Sequence, residues 1–516
     1  MHVKISTGWF AVALGLATAT ATHAAVVHDC SDAEMYADLP SWNTEVPTRV
    51  VKSHGRTTGI FEIQVNLKLD DNGRVVCYHS APNWDGVPPW NLTLPSKALV
   101  RAATNWRFAS PKTADGHWIS QTVRFEASAP LVRQPRAPKS QIAFRHVRAN
   151  CYGPCPSYTV TVRGDGRVDY DGGVADIPGK LSYRIPVADA EALITRQSSR
   201  DLWNRGTAYT GSEFDASHDF LTITYGKRSK HIHDYLGAQV GMPVAISDAE
   251  KDIDDTAGVM RWVHATPETL TDLEGLGFDF HSRRAGDAVV SMIDDSDVED
   301  ATILGMISQG APMTGQGWHT GNQPEAAIDL AIEANRPAVV EALIAAGALN
   351  VAGAPDKMRV NSAFQSAMAS DSLVFVKRLA EFHPYLTYMT DEASAPQSVL
   401  FLAQHGNKAF VSALVDMGAD PAGRDGDGNT LLHKLGNDPE VADFLLAHGV
   451  DINARNTDGE TALLILYNED AVLHLLDLGA DPTVRTDTAS IWSRADTFEW
   501  KRVPDWLEAH NYHRAK

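Results

Sequence analysis

The stretch that decides the fold is GADPAGRDGDGNTLLH at residues 418–433, which returns as GVDINARNTDGETALL at residues 449–464. A third, shorter copy begins with GADPTVR at residues 479–485. A pattern that recurs at an interval of about 20 to 50 residues indicates a chain of stacked supersecondary units. The C-terminal part of this chain is therefore predicted to be a repeat array.

The same interval continues on the N-terminal side of these copies. The residues that end successive predicted helices, called anchors below, are separated by 33, 37, 36, 35, 31, 30 and 31 positions. Apolar residues recur eight, seven, four and three positions before the anchors, a spacing that defines one face of a helix. Glycine suits a helix end because it adopts the left-handed conformation without a steric cost. The anchors are Gly277, Gly310, Gly347, His383, Gly418, Gly449, Gly479 and His510.

These segments resemble ankyrin repeats. Residues 419–421 and 480–482 resemble the ankyrin turn, and residues 430–433 and 461–463 resemble the Thr-Pro-Leu-His opening of the first helix. The resemblance implies a stack of helix pairs over residues 266–516, ending in a C-terminal cap, because one pair alone cannot bury its apolar face. It also implies that the turns between successive helix pairs, called fingers below, form a concave surface together with the first helices. This surface would bind a protein partner, whose identity stays open.

The finger tips are the candidate contact residues of this surface. Residues 425–429 also begin like a calcium loop, but position six is Thr430 instead of Gly, and position twelve is Gly436 instead of Glu. We therefore predict no metal there, and we predict no metal or cofactor elsewhere in the chain. The candidate partner-binding residues are Arg424, Asp425, Asp427, Asn429, Arg455, Asn456 and Asp458.

Length and composition limit the classes of protein that this chain represents. With 516 residues and 44% apolar residues, the chain has enough material for several domains. Its formal net charge of −20 repels phosphate backbones, so nucleic acid is not an expected partner.

Residues 1–24 predict a cleavable secretory signal peptide. Lys4 precedes an apolar run from Trp9 to Ala21, and small residues follow at Ala24 and Ala25. An uncleaved membrane anchor is the alternative. Because no later segment has 18 continuous apolar residues, we expect no integral membrane segment after cleavage. The predicted location is the periplasm of a bacterial envelope or the exterior.

Export favours disulfides between the four cysteines. Four thiols allow three pairings, and the short loop between Cys151 and Cys155 favours that pair together with Cys30–Cys77. A redox or metal pair at Cys151 and Cys155 is the alternative, but three residues separate them where two are usual.

Residues 28–129 predict a small α+β domain. Apolar and polar residues alternate strictly over residues 61–70, as in a half-buried strand, and Asn72-Gly73 predicts a type I′ hairpin turn. A helix is predicted from Ser96 to Trp106, followed by a strand through Phe125. The segment resembles the C-terminal domain of TonB-like energy transducers, through Asp71–Val75, Asn105–Phe108 and Val123–Phe125. We expect Trp106 and Phe108 to pack in its core.

A proline-containing linker at residues 130–139 precedes a second predicted α+β domain at residues 140–265. Cys151-x-Gly153-x-Cys155-Pro156-x-Tyr158 makes this domain similar to an uncharacterised family of bacterial exported domains, which implies no activity. Helices are predicted at Val187–Ser199 and Ser247–His264. His231 and His233 could face one metal ion, but two ligands without a third favour a solvated strand edge.

The sequence carries none of the local motifs that mark common catalytic sites. A Gly-x-Ser-x-Gly elbow, a His-Glu-x-x-His pair, a phosphate loop and a dinucleotide fingerprint are all absent. The predicted function is therefore an exported, non-catalytic protein that binds another protein through its ankyrin repeats. The alternatives are an accessory of TonB-type energised envelope transport through residues 28–129, and an unrecognised hydrolase in residues 140–265.

Overall fold

The computed structural model describes residues 28–29, 48–52, 58–80, 96–108, 118–149, 151, 155–212, 216–317, 324–388, 397–403 and 407–514. These residues form two compact units. The first contains the described residues up to Val147, with Arg163–Asp165 and Val187–Ile253; the second contains Arg148–Val162, Gly166–Pro186 and the described residues from Asp254 onward. The predicted signal peptide and Cys30 lie outside the described residues.

The N-terminal half of the chain is rich in strands. Its strands are β1 (His28–Asp29), β2 (Arg49–Lys52), β3 (Gly59–Leu69), β4 (Val75–Ser80), β5 (Trp118–Ala127), β6 (Ile142–Arg148), β7 (Tyr158–Arg163), β8 (Arg167–Gly172), β9 (Gly179–Arg184), β10 (Ala208–Thr210), β11 (Asp219–Tyr225) and β12 (Arg228–Tyr235). Its helices are α1 (Ser96–Ala103), α2 (Val187–Ser199), α3 (Gly237–Val240), α4 (Val244–Ala257) and α5 (Met260–Val263). The predicted helix Val187–Ser199 is confirmed at both ends.

The alternation predicted for residues 61–70 is confirmed in β3. Phe61, Val65 and Leu67 are at most 2% exposed, while the residues between them are partly exposed. They share a core with Leu99 of α1 and Phe125 of β5, and the rings of Phe61 and Phe125 stack with centroids 5.1 Å apart. Burial of these side chains holds α1 against the sheet.

Helix α1 ends earlier than the predicted residue, Trp106, which follows the helix in a turn. Trp106 is nevertheless buried, and its ring meets that of Phe108 edge to face with centroids 6.5 Å apart. The guanidinium of Arg49 lies 5.8 Å and 5.1 Å from the two ring centroids. These aromatic residues therefore pack in the core of the first unit, as predicted.

The turn after β3 is not the predicted type I′. Asn72 lacks the positive φ that type I′ requires, whereas Gly73 has a φ of +69°. The carboxylate of Asp70 accepts hydrogen bonds from the N–H groups of Asn72 and Arg74, at 2.9 Å and 2.8 Å. This side-chain turn at Asp70 lengthens the loop beyond two residues, and the pairing with β4 shifts between Lys68 and Leu69.

One mixed sheet joins strands from the two segments that were predicted to be separate α+β domains. Strand β3 pairs antiparallel with β5 and β4, and it pairs in parallel with β10 at Gly59–Phe61. The sheet of the first unit runs in the order β1-β4-β3-β10-β12-β11-β6. Gly59 has a φ of +117°, and a Cβ atom there would lie 2.0 Å from the carbonyl oxygen of Ala208. The predicted domain boundaries themselves stay predictions.

In the second unit, β7, β8 and β9 form an antiparallel meander. The helix predicted from Ser247 to His264 is interrupted there, because Gly258 has a φ of +67° and separates α4 from α5. The break brings the fully buried Trp262 against Tyr183, with ring centroids 5.7 Å apart, and the indole N–H donates to the Tyr183 hydroxyl at 3.2 Å. Burial of Trp262 compensates for the interrupted helix.

The C-terminal half consists of helical pairs joined by fingers. Its helices are α6 (Pro267–Gly275), α7 (Arg283–Asp294), α8 (Asp300–Ser308), α9 (Ala327–Glu333), α10 (Pro337–Ala345), α11 (Lys357–Ala369), α12 (Leu373–Ala380), α13 (Lys408–Asp416), α14 (Leu431–Leu435), α15 (Pro439–Ala447), α16 (Ala462–Ile465), α17 (Glu469–Asp477), α18 (Ile491–Thr497) and α19 (Arg502–Ala509). Three fingers contain short strand pairs, which are β13 (Thr314–Gly315) with β14 (Glu325–Ala326), β15 (Asn350–Val351) with β16 (Ala354–Pro355), and β17 (Thr387–Tyr388) with β18 (Gln397–Ser398).

The predicted anchors end their helices in the left-handed conformation, with one exception. His510 has a φ of −101°, and the left-handed residue is Asn511, one position later. After Gly418 the helix closes with a hydrogen bond from Ala419 N–H to Leu414 O, at 3.0 Å. No helix among the described residues is both long enough and apolar enough to cross a membrane.

Candidate functional site: the fingers of the C-terminal repeats

Three consecutive fingers are built alike, and the turn of the third is one residue shorter than the turns of the other two. Each finger is closed by a backbone hydrogen bond, from Asp425 N–H to Asn429 O (3.0 Å), from Asn456 N–H to Glu460 O (2.9 Å), and from Thr486 N–H to Ala489 O (2.8 Å). The repeat pattern in the sequence thus produces a repeated backbone turn.

The side chain that opens each finger also closes it. The carboxylate of Asp425 accepts hydrogen bonds from Asp427 N–H and Asn429 N–H, at 3.0 Å and 2.9 Å. Asn456 Oδ1 accepts the equivalent pair one repeat later. Although burial raises the pKa of Asp425, hydrogen bonds from Asn429 and the charge of Lys434 hold it below the usual value. The Asp425 carboxylate therefore stabilises its own finger.

Adjacent fingers are linked to each other. The Thr457 N–H donates to the carbonyl oxygen of Asp427 at 2.9 Å, and the Asn456 amide donates to Asn429 Oδ1 at 3.0 Å. The guanidinium of Arg424 donates to the carbonyl oxygens of Gly428 and Arg455, both at 2.6 Å. The fingers thus form a continuous, ordered surface.

The structure separates the predicted contact residues into two groups. Asn429 is 6% exposed and hydrogen-bonded inside the network, and its contact with a partner stays a prediction. Arg424, Arg455, Asp427 and Asp458 are exposed, and the carboxylates of the last two make no hydrogen bond within the described part of the chain. Asp425 and Asn456 are half-buried. Whether the exposed residues bind a partner stays a prediction.

A buried histidine joins two repeats below the fingers. His433 is 3% exposed; its Nδ1 accepts the Thr430 N–H at 3.1 Å, and its Nε2 lies 3.2 Å from the carbonyl oxygen of Glu460. Burial lowers the pKa of His433 and so favours the neutral form of the imidazole. The next repeat has Leu464 at the corresponding position, and the hydroxyl of Thr461 is buried without a partner among the described residues.

The histidines considered as metal ligands in the N-terminal half do not share a site. His231 is exposed and its Nδ1 lies 3.0 Å from Thr222 Oγ1, whereas His233 is 7% exposed and its Nε2 lies 2.9 Å from His218 Nδ1. The predicted strand edge is wrong near His233, because β12 pairs there with both β10 and β11. Burial lowers the pKa of His233 to about 3.

The structure describes some, but not all, of the cysteines in the predicted disulfides. The sulfur atoms of Cys151 and Cys155 lie 1.90 Å apart and their Cα atoms 5.6 Å apart. Cys77 is buried in β4, but Cys30 lies outside the described residues. Both disulfides stay predictions for the protein in its cellular compartment.

Sequence reasoning missed one group of side chains. Within the described ranges, a single set of three metal-ligating residues brings its ligand atoms within 4.8 Å of one another: Asp176, His264 and Asp295. These residues come from three separate segments, so no short spacing in the sequence indicates them.

Comparisons with known proteins give two family matches. Residues 399–486 match ankyrin repeats in three copies, and residues 143–257 match a domain of unknown function, DUF6438. Among solved structures, the ankyrin repeat domain of Bcl-3, a member of the IκB protein family, is 18% identical with a TM-score of 0.31, over 41% of this chain and 91% of its own length. No curated protein matches this chain. The C-terminal part of the chain therefore contains ankyrin repeats.

Proposed function

We propose that this chain is an exported, non-catalytic protein that binds a protein partner through the fingers of its ankyrin repeats. The observation that carries the proposal is the finger surface, in which internal hydrogen bonds fix the backbone and the carboxylates of Asp427 and Asp458 remain exposed. A finger backbone that is already fixed loses little conformational entropy when a partner binds. Ankyrin stacks commonly bind proteins on such surfaces.

A charge-reversal variant tests this proposal without disturbing the fingers. Asp427→Lys combined with Asp458→Lys changes exposed carboxylates that make no hydrogen bond in the described structure. The matched control, Asp416→Lys combined with Glu440→Lys, makes the same change in net charge at exposed positions on α13 and α15. Full-length proteins would be used as bait in an envelope extract of the producing organism.

We expect the finger variant to lose a specific partner that the unchanged protein and the control both retain. Circular dichroism should give the same unfolding midpoint for all proteins. Equal capture by the finger variant and the control would refute a role of these fingers in binding.

Export is part of the proposal and has its own measurement. The intact mass of the protein recovered from the periplasm or medium should correspond to a chain that begins after Ala24 or Ala25. An intact N-terminus on a membrane-bound chain would instead support the uncleaved anchor. The transport-accessory and hydrolase alternatives stay predictions.

A further inference from the structure

Three metal-ligating side chains meet in the second unit, away from the fingers. Asp176 lies between β8 and β9, His264 follows α5, and Asp295 follows α7. One ligand atom from each residue lies within 4.8 Å of the other two. Since none of the three segments is adjacent in sequence, the fold itself assembles the group.

Asp176 is the buried member of the group, with an exposure of 3%. Its carboxylate accepts one hydrogen bond, from Ala265 N–H at 2.7 Å, and no other from the described residues. The backbone around it is fixed, because Asp176 N–H donates to Val263 O and Ile177 N–H donates to Trp262 O. A buried carboxylate with so few donors is costly unless a positive charge compensates it.

His264 and Asp295 complete the group from the solvent side. His264 Nδ1 lies 2.9 Å from one carboxylate oxygen of Asp295, and the other oxygen accepts the Asp297 N–H at 2.8 Å. Both side chains are partly exposed, at 40% and 22%. An ion could therefore enter from solvent and contact a buried ligand.

The nearby arginine does not neutralise these carboxylates by direct contact. Arg336 donates to the Asp300 carboxylate at 2.7 Å and to the carbonyl oxygens of Ile293, Val298 and Asp295. Its hydrogen bonds hold the loop after α7 in place. Within the described part of the chain, the basic side chain in direct contact with Asp295 is therefore His264.

We propose that Asp176, His264 and Asp295 bind one divalent cation, for which Zn²⁺ fits the donors best. Imidazole nitrogen and carboxylate oxygen are both ligands that zinc takes in proteins, and water would fill the remaining position. Zinc bonds of about 2.0–2.1 Å place tetrahedral ligand atoms roughly 3.4 Å apart. Ligand atoms at the 4.8 Å limit would therefore approach each other by about 1.4 Å, whereas His264 Nδ1 and the Asp295 oxygen, which are 2.9 Å apart, would separate by about 0.5 Å as their hydrogen bond is exchanged for the ion.

Bound zinc would join the segment between β8 and β9 to the start of the repeat region within the second unit. A ligand that binds the folded state alone stabilises that state in proportion to its concentration. Zinc bound at this site would therefore stabilise the first helices of the repeats against unfolding.

The test is a zinc titration of the full-length protein after EDTA treatment and buffer exchange. We expect one Zn²⁺ per chain by calorimetry, and a visible absorption spectrum of tetrahedral type when Co²⁺ replaces it. Two variants remove one carboxylate each and keep the local hydrogen bond: Asp176→Asn retains an acceptor for Ala265 N–H, and Asp295→Asn retains an acceptor for Asp297 N–H. Each variant should weaken zinc binding by at least about tenfold.

His474→Gln is the matched control. His474 Nε2 lies 2.7 Å from an Asp443 oxygen, so this change removes a His–Asp pair that belongs to no three-residue group in the described structure. The control should bind zinc like the unchanged protein. If Asp176→Asn does not fold by circular dichroism, Asp295→Asn decides the question. No stoichiometric binding, or equal affinity in Asp295→Asn and the control, overturns the proposal.

Discussion

Two threonines at equivalent positions of neighbouring repeats should respond to the same substitution with opposite signs. Thr430 and Thr461 both precede a first helix and are at most 3% exposed. The hydroxyl of Thr430 lies 2.9 Å from His433 Nδ1, but the hydroxyl of Thr461 has no hydrogen-bond partner among the described residues. The difference arises because Leu464 replaces the histidine.

The expected magnitudes follow from the contacts. A buried polar group without a partner costs about 1–3 kcal/mol, and a buried methyl group contributes roughly 0.8 kcal/mol. Thr461→Val replaces a buried hydroxyl that has no hydrogen-bond partner among the described residues with a methyl group, and the shape of the side chain stays the same. We therefore expect a stabilisation of about 1–2 kcal/mol. Thr430→Val removes a satisfied hydrogen bond and leaves His433 with one donor fewer, so we expect a destabilisation of about 1 kcal/mol.

Hydrogen exchange measured by mass spectrometry resolves these effects within the full-length chain. Repeat arrays open locally, and peptides from residues 431–435 and 462–477 report the free energy of opening of the helices concerned. Slower exchange in Thr461→Val and faster exchange in Thr430→Val would agree with the prediction. A loss of protection in both variants would refute it, because it would mean that the Thr461 hydroxyl has a stabilising partner.

Three further changes test other parts of the fold. Burial and the charge of His218 together lower the pKa of His233 to about 3. Because the unfolded state then binds one more proton than the folded state below pH 6.5, the contribution of His233 to stability decreases as pH falls. Between pH 7.5 and 5 the contribution of His233 to this loss should be about 2 kcal/mol, so the difference in stability between the unchanged protein and His233→Phe, measured by urea unfolding at both pH values, should change by that amount. Gly59→Ala should destabilise the first unit by about 3 kcal/mol or more, because the new Cβ atom would lie 2.0 Å from the carbonyl oxygen of Ala208. An unchanged thermal midpoint would contradict the pairing of β3 with β10. Arg424→Ala should increase hydrogen exchange at residues 455–460, because Arg455 O loses its donor from the neighbouring finger. The free energy of opening of this finger should decrease by about 0.5–1 kcal/mol. Equal exchange in both proteins would show that this contact does not stabilise the finger.

Local chemistry explains which elements could be predicted. The alternation in β3 and the extent of α2 were predictable because each depends on a periodic pattern of apolar residues and on neighbouring turn residues. The glycine anchors were predictable for the same reason. His510 failed as an anchor because the chain takes the left-handed conformation one position later, at Asn511, a residue type that adopts it at some helix ends. Residue type alone does not decide this, since His383 is left-handed as predicted, with a φ of +53°.

Contacts between distant segments explain the errors. The break at Gly258 places Trp262 against Tyr183, and a sequence pattern that continues through residues 247–264 contains no sign of this partner. The pairing of β10 with β3 likewise depends on a close approach at Gly59 that only the assembled sheet requires. Among the candidate contact residues, the network of hydrogen bonds decides that Asn429 is buried while Asp427 is exposed.

The sequence by itself determined that the C-terminal half is a repeat array, because each repeat carries its own helix faces and turn residues and contacts mainly its neighbours. It also determined the strands and helices whose apolar periods are long. Only the tertiary structure decided that one sheet includes strands from both predicted α+β segments, and that Asp176, His264 and Asp295 meet. Contacts between residues far apart in sequence depend on how elements pack, and packing leaves no periodic trace in the chain.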